Sequence, residues 1–146
     1  MYKLDLLDTP PEQRFDSITR KVKRYFDVSI ALISIIDKDR QWFLSRQGLE
    51  AKQTPRDISF CGHAINQQEI FHVADTFLDD RFVDNPLVTD EPHIRFYAGA
   101  PLRSSDGYPL GTLCIIDQVP RDLLANDLVV LREFASMVEA ELVKRA

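Results

Sequence analysis

Cysteine and histidine are scarce in this sequence of 146 residues, which contains two cysteines and three histidines. Cys61 and Cys114 lie far apart and form no Cys-x-x-Cys pair. This arrangement argues against a disulfide framework and against a zinc ribbon, and it suits a reducing compartment. No two of the potential ligand residues show the tight spacing of a helical metal site, so we expect no metal centre.

An excess of positive charge is also absent. Lys and Arg total 18 against 23 Asp and Glu, which gives a net charge of −5 and a pI near 5.1. Four cations do cluster between Arg20 and Arg24, but on one predicted helix, where a solvated face explains them. Because nucleic-acid binding needs a concentrated basic surface, we expect no nucleic-acid partner.

Long hydrophobic runs are missing as well. The longest run, Ile30–Ile36, is far shorter than the roughly 20 residues that a helix needs to cross a bilayer. The N-terminus is acidic and lacks the apolar stretch of a signal peptide. These absences predict no membrane partner and a cytoplasmic location.

The sequence does contain a series of short strands between two helices. Strand patterns cover residues 29–37, Arg40–Gln47, 95–102 and Pro109–Asp117, and Asp-Gly at 106–107 stands where a hairpin turn belongs. Apolar residues at helical spacing precede the first strand and follow Pro120. With 45% hydrophobic residues, the chain is predicted to form one α+β domain over residues 1–146, with helices packed on an antiparallel sheet.

One strand carries three polar side chains on a single face. His93, Arg95 and Tyr97 alternate with apolar residues, a pattern typical of a half-buried strand. A guanidinium and a phenol donate hydrogen bonds, and an imidazole adjusts its charge near neutral pH. This face therefore predicts a pocket for an anion. A solvent-facing sheet surface would carry the same residues, and that alternative stays open.

The segment before this strand, residues 75–92, is too long and polar for a simple connection. Phe77, Phe82 and Leu87 give it apolar anchors, so we predict an ordered lid over the pocket. Its acidic residues could instead pair with arginines and leave the pocket neutral or closed. The candidates for such internal salt bridges are Asp75, Asp79 and Asp80 with Arg81 and Arg95.

The C-terminal helix, predicted over residues 122–145, carries an apolar stripe with the alternating spacing of a short coiled coil. A second, offset apolar set accompanies it, so one stripe can pack on the sheet while the other meets a second copy of the chain. A single wide stripe buried on the sheet would look similar. We predict a homodimer, with a dimer stripe of Leu124, Leu128, Leu131, Ala135, Val138 and Leu142.

Several motifs, taken in order, resemble a GAF sensory domain. They include Ile-Ser-Phe-Cys-Gly-His-Ala-Ile at 58–65, Arg-Phe-Val-Asp-Asn-Pro at 81–86 and Leu-Gly-Thr-Leu-Cys-Ile-Ile-Asp at 110–117. The resemblance covers nearly the whole chain and is closest to bacterial GAF modules N-terminal to diguanylate cyclases and sensor histidine kinases. It implies a central antiparallel sheet of five to six strands, with N- and C-terminal helices on one face and a loop-covered pocket on the other.

The resemblance leaves the ligand and any cofactor open, because pockets of this family accept cyclic nucleotides, bilins, haem, metal ions and small acids. The Asn-Lys and Phe-Asp-Glu elements of cyclic-nucleotide members do not appear in register here. The attachment cysteine of bilin-binding members typically adjoins a histidine, whereas Gly62 separates Cys61 from His63. The candidate ligand-binding residues are Phe60, Cys61, His63, Asp75, Phe82, His93, Arg95 and Tyr97.

We therefore predict a non-catalytic module that binds a small molecule and relays the change through its terminal helices. In a longer protein the C-terminal helix could continue into an output domain, such as a diguanylate cyclase or histidine kinase.

Two alternatives remain. Phe60-Cys61-Gly62 is similar to the Val-Cys-Gly segment of free methionine-(R)-sulfoxide reductases, but the further cysteine of that branch is missing from residues 91–100. Cys114 lies in a predicted strand, where thiolate activation is hard. The other alternative is a GAF domain that serves only as a dimerisation scaffold and binds no ligand.

Overall fold

A six-stranded antiparallel sheet forms the centre of the molecule. The structure is a computed structural model that describes residues 9–37, 40–55, 60, 70–90 and 93–145. The strands are β1 (Ile30–Ile36), β2 (Arg40–Gln47), β3 (Gln53–Pro55), β4 (Phe71–Val73), β5 (Phe96–Arg103) and β6 (Pro109–Asp117). They lie in the order β3-β2-β1-β6-β5-β4, and every neighbouring pair is antiparallel.

Two long helices, α1 (Gln13–Phe26) and α3 (Ala125–Arg145), pack together on one face of this sheet. The other face carries a short helix, α2 (Pro86–Thr89), through its buried Val88, and a 3-10 helix (Thr76–Leu78) follows β4 along the chain. The predicted α+β class, with six strands and the terminal helices on one face, is confirmed. Within the described residues, no helix is long and apolar enough to cross a membrane.

Both faces of the sheet are buried at the central strand β1, which explains why β1 reads as a nearly continuous apolar run. Ala31, Ile33 and Ile35 face the helices and belong to the core there, which we call the helix-side core. Ile30 and Leu32 point the opposite way, into a second cluster that we call the cavity-side core. The alternation of a strand therefore supplies two cores from one segment.

Four members of the predicted dimer stripe are buried within a single chain, while their role in a dimer stays a prediction. Leu131, Ala135 and Val138 are 0% exposed, and Leu142 is 2% exposed, because all four pack in the helix-side core of a single chain. Leu124, by contrast, is 71% exposed and precedes the first residue of α3. The stripe that best fits a coiled coil in sequence is thus the one that attaches α3 to the sheet.

The predicted polar strand face is also shorter than the alternation suggests, because the strand begins later along the chain. β5 begins at Phe96, and His93 has a left-handed backbone with φ of 59°, so His93 and Arg95 precede the strand. Ile94 consequently packs in the cavity-side core, although Phe96 and Ala98 face the helices. His93, Arg95 and Tyr97 do not form one face.

Candidate ligand cavity

A cavity of about 470 Å³ opens on the face of the sheet opposite α1 and α3. Strands β1, β2 and β3 supply one wall, the turn after β2 supplies the rim, and the lid closes another side through Leu87. Its apolar lining comprises Ile30, Leu32, Phe43, Leu49, Phe60, Leu87, Ile94 and Ile116. Its polar lining comprises Ser29, Gln41, Glu50, Thr54, Tyr97 and Gln118.

Aromatic rings form a continuous wall on one side of the cavity. Phe60 stacks on Phe82 with ring centroids 4.1 Å apart, and it lies 5.1 Å from the ring of Tyr97. Phe71 packs behind both Phe82 and Tyr97, at 6.0 and 6.1 Å. Phe82 and Tyr97 are wholly buried, so the wall is held in place from behind.

Tyr97 fits into this wall because Gly99, two residues along β5, has no side chain. A β-carbon at Gly99 would overlap the phenol hydroxyl and lie 2.9 Å from the ring carbon that carries it. Glycine in a strand often marks such a close approach. The sequence at 97–99 therefore sets the position of the phenol against the aromatic wall.

Apart from the carboxylate of Glu50, the side-chain hydrogen-bonding groups of the described cavity lining are amides and hydroxyls. Gln41 is only 4% exposed, and its Nε2 donates to Thr54 Oγ1 at 2.6 Å, which fixes the carboxamide between β2 and β3. Glu50 is the one charged residue among the described lining residues, and it lies exposed at the rim. The described lining thus offers neutral donors and acceptors and no cation.

Short-range hydrogen bonds order the described part of the lid, residues 75–90. Asp75 caps the 3-10 helix by accepting from the Phe77 N–H at 3.0 Å, and Asn85 caps α2 by accepting from the Leu87 N–H at 2.8 Å. Phe82 and Val88 are buried, at 0% and 3% exposure. The lid is anchored as predicted, although Phe77 is not an anchor because it is 54% exposed.

Arg95 lies outside the cavity and is occupied by other groups. Its Nη2 lies 3.1 Å from Asp75 Oδ1, and its guanidinium carbon lies 3.6 Å from the centroid of the Phe77 ring. His93 is exposed and does not line the cavity either. Arg95 therefore forms the internal salt bridge that the sequence analysis gave as the alternative. The predicted anion pocket, with His93, Arg95 and Tyr97 together, is not assembled.

A second internal salt bridge forms within the lid, between Arg81 and Asp79. Arg81 Nη2 lies 2.7 Å from Asp79 Oδ2, and the hydrogen bond to that carboxylate raises the pKa of Arg81. The Arg81 guanidinium also lies 4.9 Å from the centroid of the Phe71 ring and 5.3 Å from that of Phe82. This arginine covers the outside of the aromatic wall instead of facing a ligand.

Of the eight candidate ligand-binding residues, Phe60 and Tyr97 line the cavity, and Phe82 supports Phe60 from behind. Asp75, His93 and Arg95 lie elsewhere, as described. Cys61 and His63 fall outside the described residues. Direct ligand contact by any of these residues stays a prediction.

Sequence reasoning missed the polar groups that do line the cavity, chiefly Ser29, Gln41, Thr54 and Gln118. Only Gln41 gave a readable signal, since it shares a face of β2 with Phe43 and a glutamine at an inward position is uncommon. The others lie at strand ends or in β3, a three-residue strand whose sequence carries no strand pattern.

Cys114 lies in the cavity-side core and is 0% exposed. It does not line the cavity. Over the part of the chain that the structure describes, no group of three or more His, Cys, Asp or Glu side chains is arranged to hold a metal ion.

The sequence and the fold both match one known family. Residues 10–142 match the family model described as GAF domain, so the chain belongs to the GAF domain family. A cyclic di-GMP phosphodiesterase of Pseudomonas aeruginosa is 49% identical over 141 residues, which is 96% of this chain. The chain spans 24% of the length of that protein.

Solved structures show the same fold at low sequence identity. The type II free methionine-R-sulfoxide reductase of Thermoplasma acidophilum has a TM-score of 0.73 and 12% identity, covering 90% of this chain and 91% of the reductase chain. The GAF domain of Acinetobacter phosphoenolpyruvate-protein phosphotransferase has a TM-score of 0.71 and 15% identity, covering 88% and 79%. At these identities the likeness concerns the fold alone.

Proposed function

We propose that this GAF domain is a non-catalytic sensory module that binds a small uncharged molecule and relays its presence through α1 and α3. The observation that carries the proposal is the cavity of about 470 Å³ opposite those helices. Its volume lies within the range of about 300–1,000 Å³ typical of small-molecule sites, and its mixture of apolar walls with a few fixed polar groups is also typical.

The charge of the described lining favours an uncharged ligand over an anionic one. A buried anion needs a cation or several converging N–H donors, because desolvating an unpaired carboxylate costs several kcal/mol. Arg95, the predicted cation, is paired with Asp75 outside the cavity. Gln41, Thr54 and Tyr97 suit an amide, a lactam or a hydroxyl group, which can both donate and accept hydrogen bonds.

A set of three matched probes tests this charge preference. Benzamide, benzoate and benzamidine have similar shapes but are neutral, anionic and cationic, and we expect benzamide to raise the melting temperature more than benzoate does. A probe at ten times its dissociation constant stabilises the fold by about 1.4 kcal/mol, which corresponds to about 3–5 °C. Thermal scans at matched ionic strength measure the difference.

The same scans on Ala51→Trp locate the binding. Ala51 is exposed at the cavity rim, so tryptophan there is expected to block the cavity and abolish the shift without unfolding the protein. Ala125→Trp, at an exposed position at the start of α3, should retain the shift. Equal shifts in both variants, or a larger shift with benzoate, would contradict the proposal.

Absence of catalysis is part of the proposal and is supported by the position of the described thiol. Cys114 is buried away from the cavity, and burial in apolar surroundings opposes thiolate formation. The likeness to a methionine-R-sulfoxide reductase rests on fold alone, so it does not assign cysteine chemistry to this chain.

We expect no reduction of free methionine-(R)-sulfoxide by this chain with dithiothreitol as reductant, in the parent protein or in Cys61→Ser. Cys114→Ser serves as the structural control, because a buried hydroxyl is expected to cost about 1–3 kcal/mol of stability while turnover stays absent. Thiol-dependent turnover in the parent protein that disappears in Cys61→Ser would support the enzyme alternative.

The proposed output follows from the longer relative. Because the chain spans about a quarter of a cyclic di-GMP phosphodiesterase, we propose that it regulates a cyclic di-GMP enzyme when it forms part of a longer protein. A phosphodiesterase output is favoured by this relative. The diguanylate cyclase or histidine kinase output predicted from the sequence stays a prediction.

A homodimer through α3 also remains a proposal, with a different set of contacts from the predicted stripe. Val129, Ser136 and Val143 recur every seven residues on the exposed side of α3, and Ala140 lies beside them. Val129 and Val143 are 56% and 57% exposed. A narrow seam of small and apolar residues at this spacing suits packing against the same helix of a second copy.

A further inference from the structure

Arg121, which lies just before the N-terminal end of α3, contacts the C-terminal end of α1. Its Nη1 donates to the backbone carbonyl oxygen of Asp27 at 2.8 Å, and Asp27 ends α1 in a left-handed conformation with φ of 54°. Its backbone N–H donates to the carbonyl oxygen of Ala74 at 3.1 Å, just after β4. One arginine therefore holds together the end of α1, the approach to α3 and the start of the lid.

The same arginine is linked to the cavity through one carboxylate. Arg121 Nη1 lies 2.9 Å from Asp117 Oδ2 at the end of β6. The other oxygen, Asp117 Oδ1, accepts from the Ser29 hydroxyl at 3.1 Å and from the Gln118 N–H at 2.9 Å. Ser29 and Gln118 both line the cavity, so Asp117 lies between the cavity wall and Arg121.

We propose that the Asp117–Arg121 pair is the relay by which occupancy of the cavity reaches α1 and α3. This inference rests on the proposed function, because it assigns the regulation of the same cavity. A molecule that engages the Ser29 hydroxyl, or that displaces Gln118, changes the hydrogen bonds that Asp117 Oδ1 accepts. Arg121 then transmits the change to the ends of both helices, which shifts the population of their ordered state.

The location of the pair suits such a role. Its side chains are 29% and 15% exposed, so solvent and salt screen their interaction less than that of a surface pair. The helix-side core, in contrast, consists of buried apolar residues, and none of its described members lines the cavity. The hydrogen-bonded route through Asp117 therefore provides a coupling that does not require the core to repack.

Amide hydrogen exchange tests the relay without any ligand. Ser29→Ala removes the cavity-side hydrogen bond to Asp117, and we expect exchange to accelerate about threefold in peptides that contain Val28 and Arg121. Thr54→Val is the matched control, because it also removes a hydroxyl from the cavity wall but has no link to Asp117. It should leave those peptides unchanged.

The decisive measurement is hydrogen exchange of Ser29→Ala and Thr54→Val in an Arg121→Gln background. If Arg121 is the relay, Ser29→Ala should add no further acceleration in this background. In an Asp117→Asn background, a second and nearly isosteric change, Ser29→Ala should likewise add no further acceleration. Arg132→Gln is the control, since Arg132 also bonds to a carbonyl oxygen and a carboxylate, those of Pro101 and Glu139, away from the cavity.

Three outcomes would overturn the relay. They are unchanged exchange in Ser29→Ala, an equal effect of Thr54→Val, or an undiminished effect of Ser29→Ala in the Arg121→Gln background. Because no ligand is added, these outcomes do not depend on whether the cavity binds benzamide. Failure of the relay and failure of the proposed function can therefore be told apart.

Discussion

Gly111→Ala is expected to destabilise the domain by roughly 3 kcal/mol or more, a large part of the 5–15 kcal/mol that typically separates folded from unfolded proteins. Gly111 lies in β6 opposite Ile35 of β1, at the centre of the sheet. A β-carbon there would overlap the carbonyl oxygen of Ser34 and lie 2.8 Å from its carbonyl carbon. The obstacle is backbone, so the two central strands must separate.

Urea or thermal unfolding monitored by circular dichroism measures the effect, and Gly107→Ala is the control. Gly107 has φ of 85° in the turn between β5 and β6, and apart from its two chain neighbours no described residue has an atom within 4 Å of the position that a β-carbon would take. Alanine there meets only the cost of a left-handed backbone, about 1–2 kcal/mol. Equal losses in the two variants would show that strand spacing at Gly111 is not the cause.

The strands of the sheet could be predicted because their pattern is local. Arg40–Gln47 and Pro109–Asp117 were predicted with the bounds that the structure shows, since alternation and turn residues mark both ends of each strand. β3, with the sequence Gln-Thr-Pro, was missed because it pairs with the edge of β2 without any apolar pattern of its own. A strand of this kind is defined by its neighbour, which sequence alone does not reveal.

The candidate site was predicted less well, because its charges are settled by contacts between distant segments. The sequence indicated that Arg95 and Asp75 could either face a ligand or pair with each other, and only the folded arrangement selects the pair at 3.1 Å. The amide of Gln41 meets Thr54 only because β3 folds back on β2. Whether a polar residue is a ligand contact or an internal bond is therefore a question of tertiary structure.

Val138→Glu is expected to unfold the domain or to destabilise it by at least about 3 kcal/mol. Val138 is 0% exposed in the helix-side core, and a glutamate there must be buried without a partner or must expel α3 from the sheet. Thermal unfolding and near-ultraviolet circular dichroism measure the loss. Val143→Glu, on the same helix at 57% exposure, should change the stability measured at low protein concentration, where the proposed dimer is dissociated, by less than about 0.5 kcal/mol.

Charged substitutions in the exposed seam and in the buried stripe are also expected to affect the proposed dimer differently. Val129→Glu places a charge at the N-terminal end of the seam, so we expect light scattering at high micromolar concentration to show a monomer, with a melting curve at low concentration that is unchanged from that of the parent domain. If the parent domain is already monomeric at that concentration, the seam is not a dimer interface. If Val138→Glu instead remains folded and only dissociates, then the stripe predicted from the sequence is the interface, and its burial within one chain is not maintained in solution.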